Sequence, residues 1–145
     1  MIALGSDHGG FLLKEAIKQH LEEQGYEVKD FGCFSEDHID YPTIAVPVAK
    51  AVVSGECERA ILCCGTGLGM SIAANKVKGI RAACCSDYFS AKYTRAHNDA
   101  NALCLGARVI GPGAALELVE VFLQTPFEGG RHQRRVDQIT EIENL

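Results

Sequence analysis

Short apolar runs alternate with segments of helical period along the whole chain, and few folds satisfy that alternation. Ile2–Leu4, Ala60–Cys63, Ile80–Cys85 and Ala102–Leu105 read as strands buried on both faces, and Tyr26–Phe31 alternates polar and apolar residues as an edge strand does. Between them, Leu13, Ala16, Ile17, His20 and Leu21 share one face of a helix that Gly25 stops. Tyr41–Ser54 keeps Ile44, Val48, Ala49 and Val52 in helical register, with Pro47 inside it as a cause of a kink or a late start. Met70–Lys76 reads as a short helix, and Ser86 or Asp87 caps another that runs to about Ala96. Pro112 opens a helix through Leu123, and a last one covers roughly Arg131 to Glu143. Strands separated by helices form a parallel sheet covered on both faces, with right-handed connections. The expectation is a three-layer α/β/α, Rossmann-like domain with a five-stranded parallel sheet, spanning residues 1–145 as one unit.

Composition narrows the partners. The net charge of −5 argues against nucleic acid or an anionic membrane. No apolar run approaches the ~20 residues that span a bilayer, and Met1–Leu4 reads as a strand rather than a signal peptide. The seven cysteines are odd in number, include two vicinal pairs and form no CxxC, so they read as free thiols of a reducing cytoplasm. Together with the five histidines they lack any structural zinc spacing, so no metal site is expected.

Ligands in open α/β sheets bind beyond the carboxyl ends of the strands. That rule singles out Asp7-His8, Cys64–Gly69, Asp87 and Gly106–Arg108. In Cys64-Gly65-Thr66-Gly67-Leu68-Gly69, alternate glycines join a strand to a helix, which lets backbone N–H groups approach an anion. The spacing is neither the dinucleotide fingerprint nor a Walker loop. Cys64 stands where a helix N-terminus favours a thiolate, whereas Cys63, Cys84 and Cys104 read as core. Asp7 serves equally as a helix cap, and His97 as a favourable charge at a helix end. In Gly129-Gly130-Arg131-His132-Gln133-Arg134-Arg135, Arg131 and Arg135 share a helix face in the first turns, against the macrodipole. A bound phosphate offsets that cost, and Arg108 is placed to join it.

Taken with Asp40-Tyr41-Pro42, the run Cys64–Lys76 and His97-Asn98-Asp99-Ala100-Asn101, these segments resemble type B ribose-5-phosphate isomerase over essentially the whole chain. The wider family includes allose-6-phosphate and galactose-6-phosphate isomerases. The resemblance implies an aldose–ketose isomerase working through a cis-enediolate, without a cofactor. It implies Cys64 as the base, supported by Thr66, and His97 with Asp7 as the ring-opening acid and base. Gly65, Gly67, Leu68 and Gly69 would surround the enediolate, with Tyr41 and Asn98 as further substrate contacts. His8, Arg108, Arg131 and Arg135 would hold the phosphate. Where some members carry a glutamate base just past the glycine loop, this chain has Met70. The family forms homodimers or homotetramers with sites shared between subunits. His97, Asn98 and Arg108 would then face Cys64 of a neighbour, or the C-terminal helix would reach across. Two rivals stand beside this reading: a hexose 6-phosphate reaction on the same site, and a non-catalytic nucleotide or phosphometabolite binder with Asp87 as its ribose-binding acid.

Overall fold

The computed structural model describes residues 1–145. In chain order the elements are β1 (Ile2–Ser6), a 3-10 turn (His8–Gly10), α1 (Phe11–Glu23), β2 (Val28–Asp30), α2 (Pro42–Val53), β3 (Arg59–Cys64), α3 (Leu68–Ala74), β4 (Ala82–Cys84), α4 (Tyr88–Ala96), β5 (Ala102–Gly106), α5 (Pro112–Gln124) and α6 (Arg131–Ile142). The five strands pair in parallel in the order β2-β1-β3-β5-β4. The register sets Ser6 beside Cys63 and Cys64 beside Gly106, so the ends of β1, β3 and β5 form one rim.

The two-residue period of the strands sorts the core into two layers. Ile2, Leu4, Ile61, Cys63, Leu103 and Leu105 pack with Leu13, Ile17, Val119 and Phe122 under α1 and α5. Ala3, Leu62, Cys64 and Cys104 face the other way, against Ile44, Val48 and Met70 of α2 and α3. Each fully buried leucine or isoleucine contributes on the order of 1.5–3 kcal/mol. The same alternation sends Cys63 and Cys64 to opposite faces, although they are neighbours in sequence.

Three local features differ from the sequence reading. Ile80–Cys85 is not a buried strand: the extended part is Ala82–Cys84, it lies at the sheet edge, and Cys84 is exposed. A short apolar run suits an edge next to one strand as well as a centre between two. Pro47 neither ends α2 nor delays its start, because it lies on the exposed face, where water can solvate the carbonyl that it leaves unpaired. On α1, Ala16 and His20 are only half-buried, and Lys14 takes a core position with its side chain 1% exposed.

Lys14 is tolerable there because of its partners. Its Nζ donates to both carboxylate oxygens of Asp30, at 2.9 and 2.7 Å, and to Glu15 at 2.9 Å. Asp30 also accepts the Gly32 N–H at 2.9 Å and lies 3.4 Å from Lys18. Burial pushes the Asp30 carboxyl up. The bonds from Lys14, Gly32 and Lys18 more than offset it and hold the group below its ordinary value of 3.8. This cluster ties α1 to β2. A depressed carboxylate stabilises the fold above its unfolded pKa, and that contribution fades as pH falls through the folded one. Asp30→Ala should therefore lower the unfolding free energy at pH 7 by about 3–5 kcal/mol, because it strips a buried ammonium of its main partner. The variant should also lose part of the stability decline that the wild-type protein shows below pH ~4. Guanidinium unfolding across pH checks both, and a loss under ~1 kcal/mol at neutral pH would mean that the pair is not a buried one.

Candidate active site

The rim gathers most of the predicted residues. Asp7 follows β1, donates its backbone N–H to the Cys63 carbonyl at 3.2 Å, and caps the 3-10 turn by accepting the Gly10 N–H on Oδ1 at 3.1 Å. The turn lies directly on β3: a Cβ on Gly10 would come within 2.5 Å of the Cys63 backbone. The same construction at Gly9 reaches the Gly65 nitrogen at 3.4 Å, so Asp7 and His8 are held against the start of the glycine loop. The Nδ1 of His8 accepts the Ile39 N–H at 3.2 Å, which places the proton of the neutral ring on Nε2. Its ring stacks on His38 at 4.3 Å, a partner that the sequence reading missed.

The loop itself is organised around sulfur. Gly67 adopts φ +81°, a left-handed turn that β-carbon-bearing residues rarely take. A Cβ there would meet the Cys84 sulfur at 2.9 Å and the Leu105 carbonyl carbon at 3.0 Å. In this turn the Gly67 N–H donates to the Cys64 Sγ at 3.1 Å. The Leu68 N–H is taken by the Thr66 hydroxyl oxygen at 3.2 Å. Two of the donors expected to face an anion are therefore engaged within the loop. The N–H groups of Gly69 and Met70, which a first helical turn leaves without intrahelical acceptors, remain to receive an oxygen. Tyr41 covers Gly69, with its ring 2.7 Å from where a Cβ would stand. Leu68 is exposed beside it, and Met70 is fully buried, pointing away from the loop.

The thiols separate by environment. Burial, with the neighbouring Cys64 as a lesser cause, pushes the Cys63 thiol far up. Burial does the same to Cys104 and lifts Cys85 to about 11. These thiols stay protonated and inert. Cys64 is 4% exposed, yet its sulfur lies at the rim and accepts a backbone N–H.

The cationic and imidazole groups divide into two places. Arg108 lies in the same chain as Gly65, with Nη1 3.4 Å from where a Cβ on that glycine would stand. It lines a cavity of about 290 Å³ with His8, Gly9 and Glu36. Within the protomer Arg108 thus belongs with His8 and Gly65, not with His97. His97 caps the C-terminal end of α4, a helix that runs back from the rim for about 1.5 Å per residue. It borders a separate cavity of about 500 Å³ with Asn98, Cys84 and Phe89. Cys64 lines neither cavity.

His97 instead stacks on His132 at 4.0 Å with the ring planes 9° apart. Both Nε2 atoms lie 3.6 Å from Oε1 of Glu128. Burial lowers the His132 pKa, and the adjoining His97 and Arg131 add to that effect. Arg131 and Arg135 extend into solvent from the first turns of α6, one and three residues from His132. Sequence reasoning passed over Glu128 and His132, whose only signal was an i, i+4 spacing across the helix start. Asp87 accepts the Ser90 N–H at 2.8 Å as the cap of α4, which holds its pKa below the ordinary value. No helix of the chain is long and apolar enough to cross a membrane.

Comparison with known proteins agrees with the parallel α/β fold. The family model described as Ribose/Galactose Isomerase matches residues 2–139. Ribose-5-phosphate isomerase B of Escherichia coli (strain K12) is 53% identical, over 98% of this chain and 95% of its own length. The Clostridium thermocellum ribose-5-phosphate isomerase B structure superposes with a TM-score of 0.98 at 55% identity, covering 99% of this chain and 97% of that one. The Mycoplasma genitalium ribose-5-phosphate isomerase B, solved with bound ribulose-5-phosphate, gives a TM-score of 0.94 at 41% identity, with 99% and 95% covered. With a parallel sheet of the expected order of layers and a match from near the first residue to α6, this chain belongs to the ribose/galactose isomerase family.

Proposed function

We propose that residues 1–145 form one catalytic domain that interconverts ribose 5-phosphate and ribulose 5-phosphate in the cytoplasm, using Cys64 as base and no cofactor. The observation that carries this reading is the Gly67 N–H donated to the Cys64 sulfur at 3.1 Å, at the carboxyl end of a central strand. A free thiol is only a few per cent ionised at neutral pH. The Gly67 N–H and the N-terminal end of α3 set positive partial charge beside that sulfur. The base removes a proton from the carbon next to the carbonyl and returns it to the neighbouring carbon. The oxyanion of the intervening cis-enediolate would be received by the N–H groups of Gly69 and Met70, within the loop of Gly65, Gly67 and Leu68. Thr66 keeps that loop closed through its bond to Leu68. The buried Met70 leaves no carboxylate base at this point, so proton transfer falls to the sulfur.

Phosphate binding is assigned to His8, Arg108, Arg131 and Arg135. Held away from the reacting carbons, the phosphate orients them, and its binding energy lowers the entropy cost of the chemical step. Tyr41 walls the sugar over Gly69. Ring opening falls to His97 with Asp7, and Asn98 contacts the open chain.

These groups meet only if the protein works as a homodimer or higher oligomer, with His97 and Asn98 of one chain facing Cys64 of the next. The separate cavities described above support this, as do the exposed Leu68, Ile72, Tyr88 and Phe89 on α3 and α4. The arginines of α6 would cross in the same way.

Cys64→Ala should lower kcat by ~10²–10⁴-fold with KM nearly unchanged, as for loss of a general base. Arg135→Ala should act mainly on KM. Steady-state kinetics with ribose 5-phosphate distinguishes these patterns, and full turnover by Cys64→Ala would remove the sulfur from the mechanism. Cys64→Ala and His97→Ala, each inactive alone, should regain activity when unfolded together and refolded as a mixture. A mixed dimer then holds one intact site, so recovery should approach about a quarter of the wild-type rate. No recovery from well-folded mixed oligomers would put both residues in one chain's site.

A further inference from the structure

His97 is held by rings rather than by hydrogen bonds. Its imidazole bonds no group of the chain, and the nearest carboxylate oxygen, Oε1 of Glu128, lies 3.6 Å away, beyond a hydrogen bond. An imidazole that moves protons is ordinarily oriented by a hydrogen bond on its second nitrogen. Here two other rings pack on it instead. The His132 ring lies 4.0 Å away with the planes 9° apart. The Tyr93 ring, one turn earlier along the helix, meets it at 4.9 Å with the planes 52° apart.

The period of α4 builds this column. Phe89, Tyr93 and His97 follow one another at i, i+4 spacing and so share a helix face. The Phe89 and Tyr93 rings are 4.5 Å apart, which limits the swing of Tyr93 away from His97. His132 enters from α6 and is buried. Backbone bonds fix the spacing between the two helices. The His97 N–H donates to the Tyr93 carbonyl at 2.8 Å, and the Glu128 N–H donates to the Ala96 carbonyl at 3.0 Å. Tyr93 is half-buried and its hydroxyl bonds nothing in the chain, so its ring is the part that makes contact.

We propose that Tyr93 is a positioning residue for ring opening: with His132 it confines the His97 imidazole to one orientation. The proposal rests on the role assigned to His97 above. Opening the furanose breaks the bond between C1 and the ring oxygen. The proton of the C1 hydroxyl passes to a base, a proton is delivered to the ring oxygen, and C1 becomes the aldehyde carbon. A general acid or base must lie within ~2.6–3.2 Å of the atom it serves, so a ring free to tilt loses that reach. Ribulose 5-phosphate has no such step. Its phosphate occupies the oxygen that would close a five-membered ring on C2, so it reacts as the open chain. The aldehyde formed from it closes in water unaided. Orientation of His97 therefore matters in one direction of the reaction and not in the other.

The test compares initial rates with ribose 5-phosphate and with ribulose 5-phosphate for the full-length wild-type protein, Tyr93→Ala, Tyr93→Phe and His97→Ala. Tyr93→Ala should lower kcat for ribose 5-phosphate by ~10–100-fold with KM nearly unchanged, and leave kcat for ribulose 5-phosphate within about twofold of wild type. Alanine favours a helix more than tyrosine does, so α4 should persist. Tyr93→Phe keeps the ring and should match wild type in both directions. Equal loss in both directions would mark a general packing defect. A rise in KM alone would make Tyr93 a substrate contact, and no loss would make its contact with His97 idle. Each of these overturns the proposal. His97→Ala tests the reading beneath it. If that variant shows no directional loss, ring opening does not fall to His97 and both ideas fail. If it does and Tyr93→Ala does not, only the positioning role fails.

Discussion

The left-handed turn at Gly67 is the constraint on which the site depends. It is enforced from outside, by the Cys84 sulfur and the Leu105 backbone, which leave no room for a side chain. The turn brings a backbone donor back onto the residue that ended the strand three positions earlier. The sulfur is thereby selected twice. Strand alternation turns Cys64 toward the α2–α3 layer, and the loop then gives it a donor that Cys63 lacks. Cys63 and Cys104 sit in the same sheet with thiols held protonated by burial.

The rest of the rim supports that sulfur. The 3-10 turn packs on β3 through Gly10, where the missing Cβ admits the Cys63 backbone, and the Arg108 side chain lies against Gly65 at ordinary contact distance. The groups that face α4 and α6 belong to a different assembly. His97 and His132 are stacked, Arg81 and Arg95 both engage Asp99, and this binding holds the chain between α4 and β5 in shape. A rigid turn at that point fixes the direction in which His97 and Asn98 are presented to whatever lies beyond the chain.

The layers and the strand positions were legible because burial on both sheet faces leaves continuous apolar runs, as in Ala60–Cys63 and Ala102–Leu105. Asp87 and Pro112 marked helix starts because capping and a missing N–H are local properties, visible without tertiary structure. Lys14 was not legible: a lysine on a core face is permitted only by Asp30, which lies on a separate strand, and no periodicity encodes that pairing. Ile80–Cys85 failed as a buried strand for a related reason, since apolar character does not say how many neighbours a strand has. In the site, Cys64 stood out through its loop. Glu128 and His132 did not, because their meaning arises from contact with His97 across the gap between α4 and α6. Arg108 was assigned to the correct end of the sheet, and its nearness to Gly65 in the same protomer required coordinates.

The outermost strands, β2 and β4, are each three residues long. On β2, Asp30 is taken by Lys14 and Lys29 pairs with Glu56, so charged groups flank the outer edge. A short, charged edge gives an incoming extended segment little ladder to continue. Chains of this protein are therefore steered away from joining sheet to sheet into open-ended stacks. Any contact between copies would then fall to helical surfaces, and contacts of that kind can close on themselves at a small, fixed number of subunits.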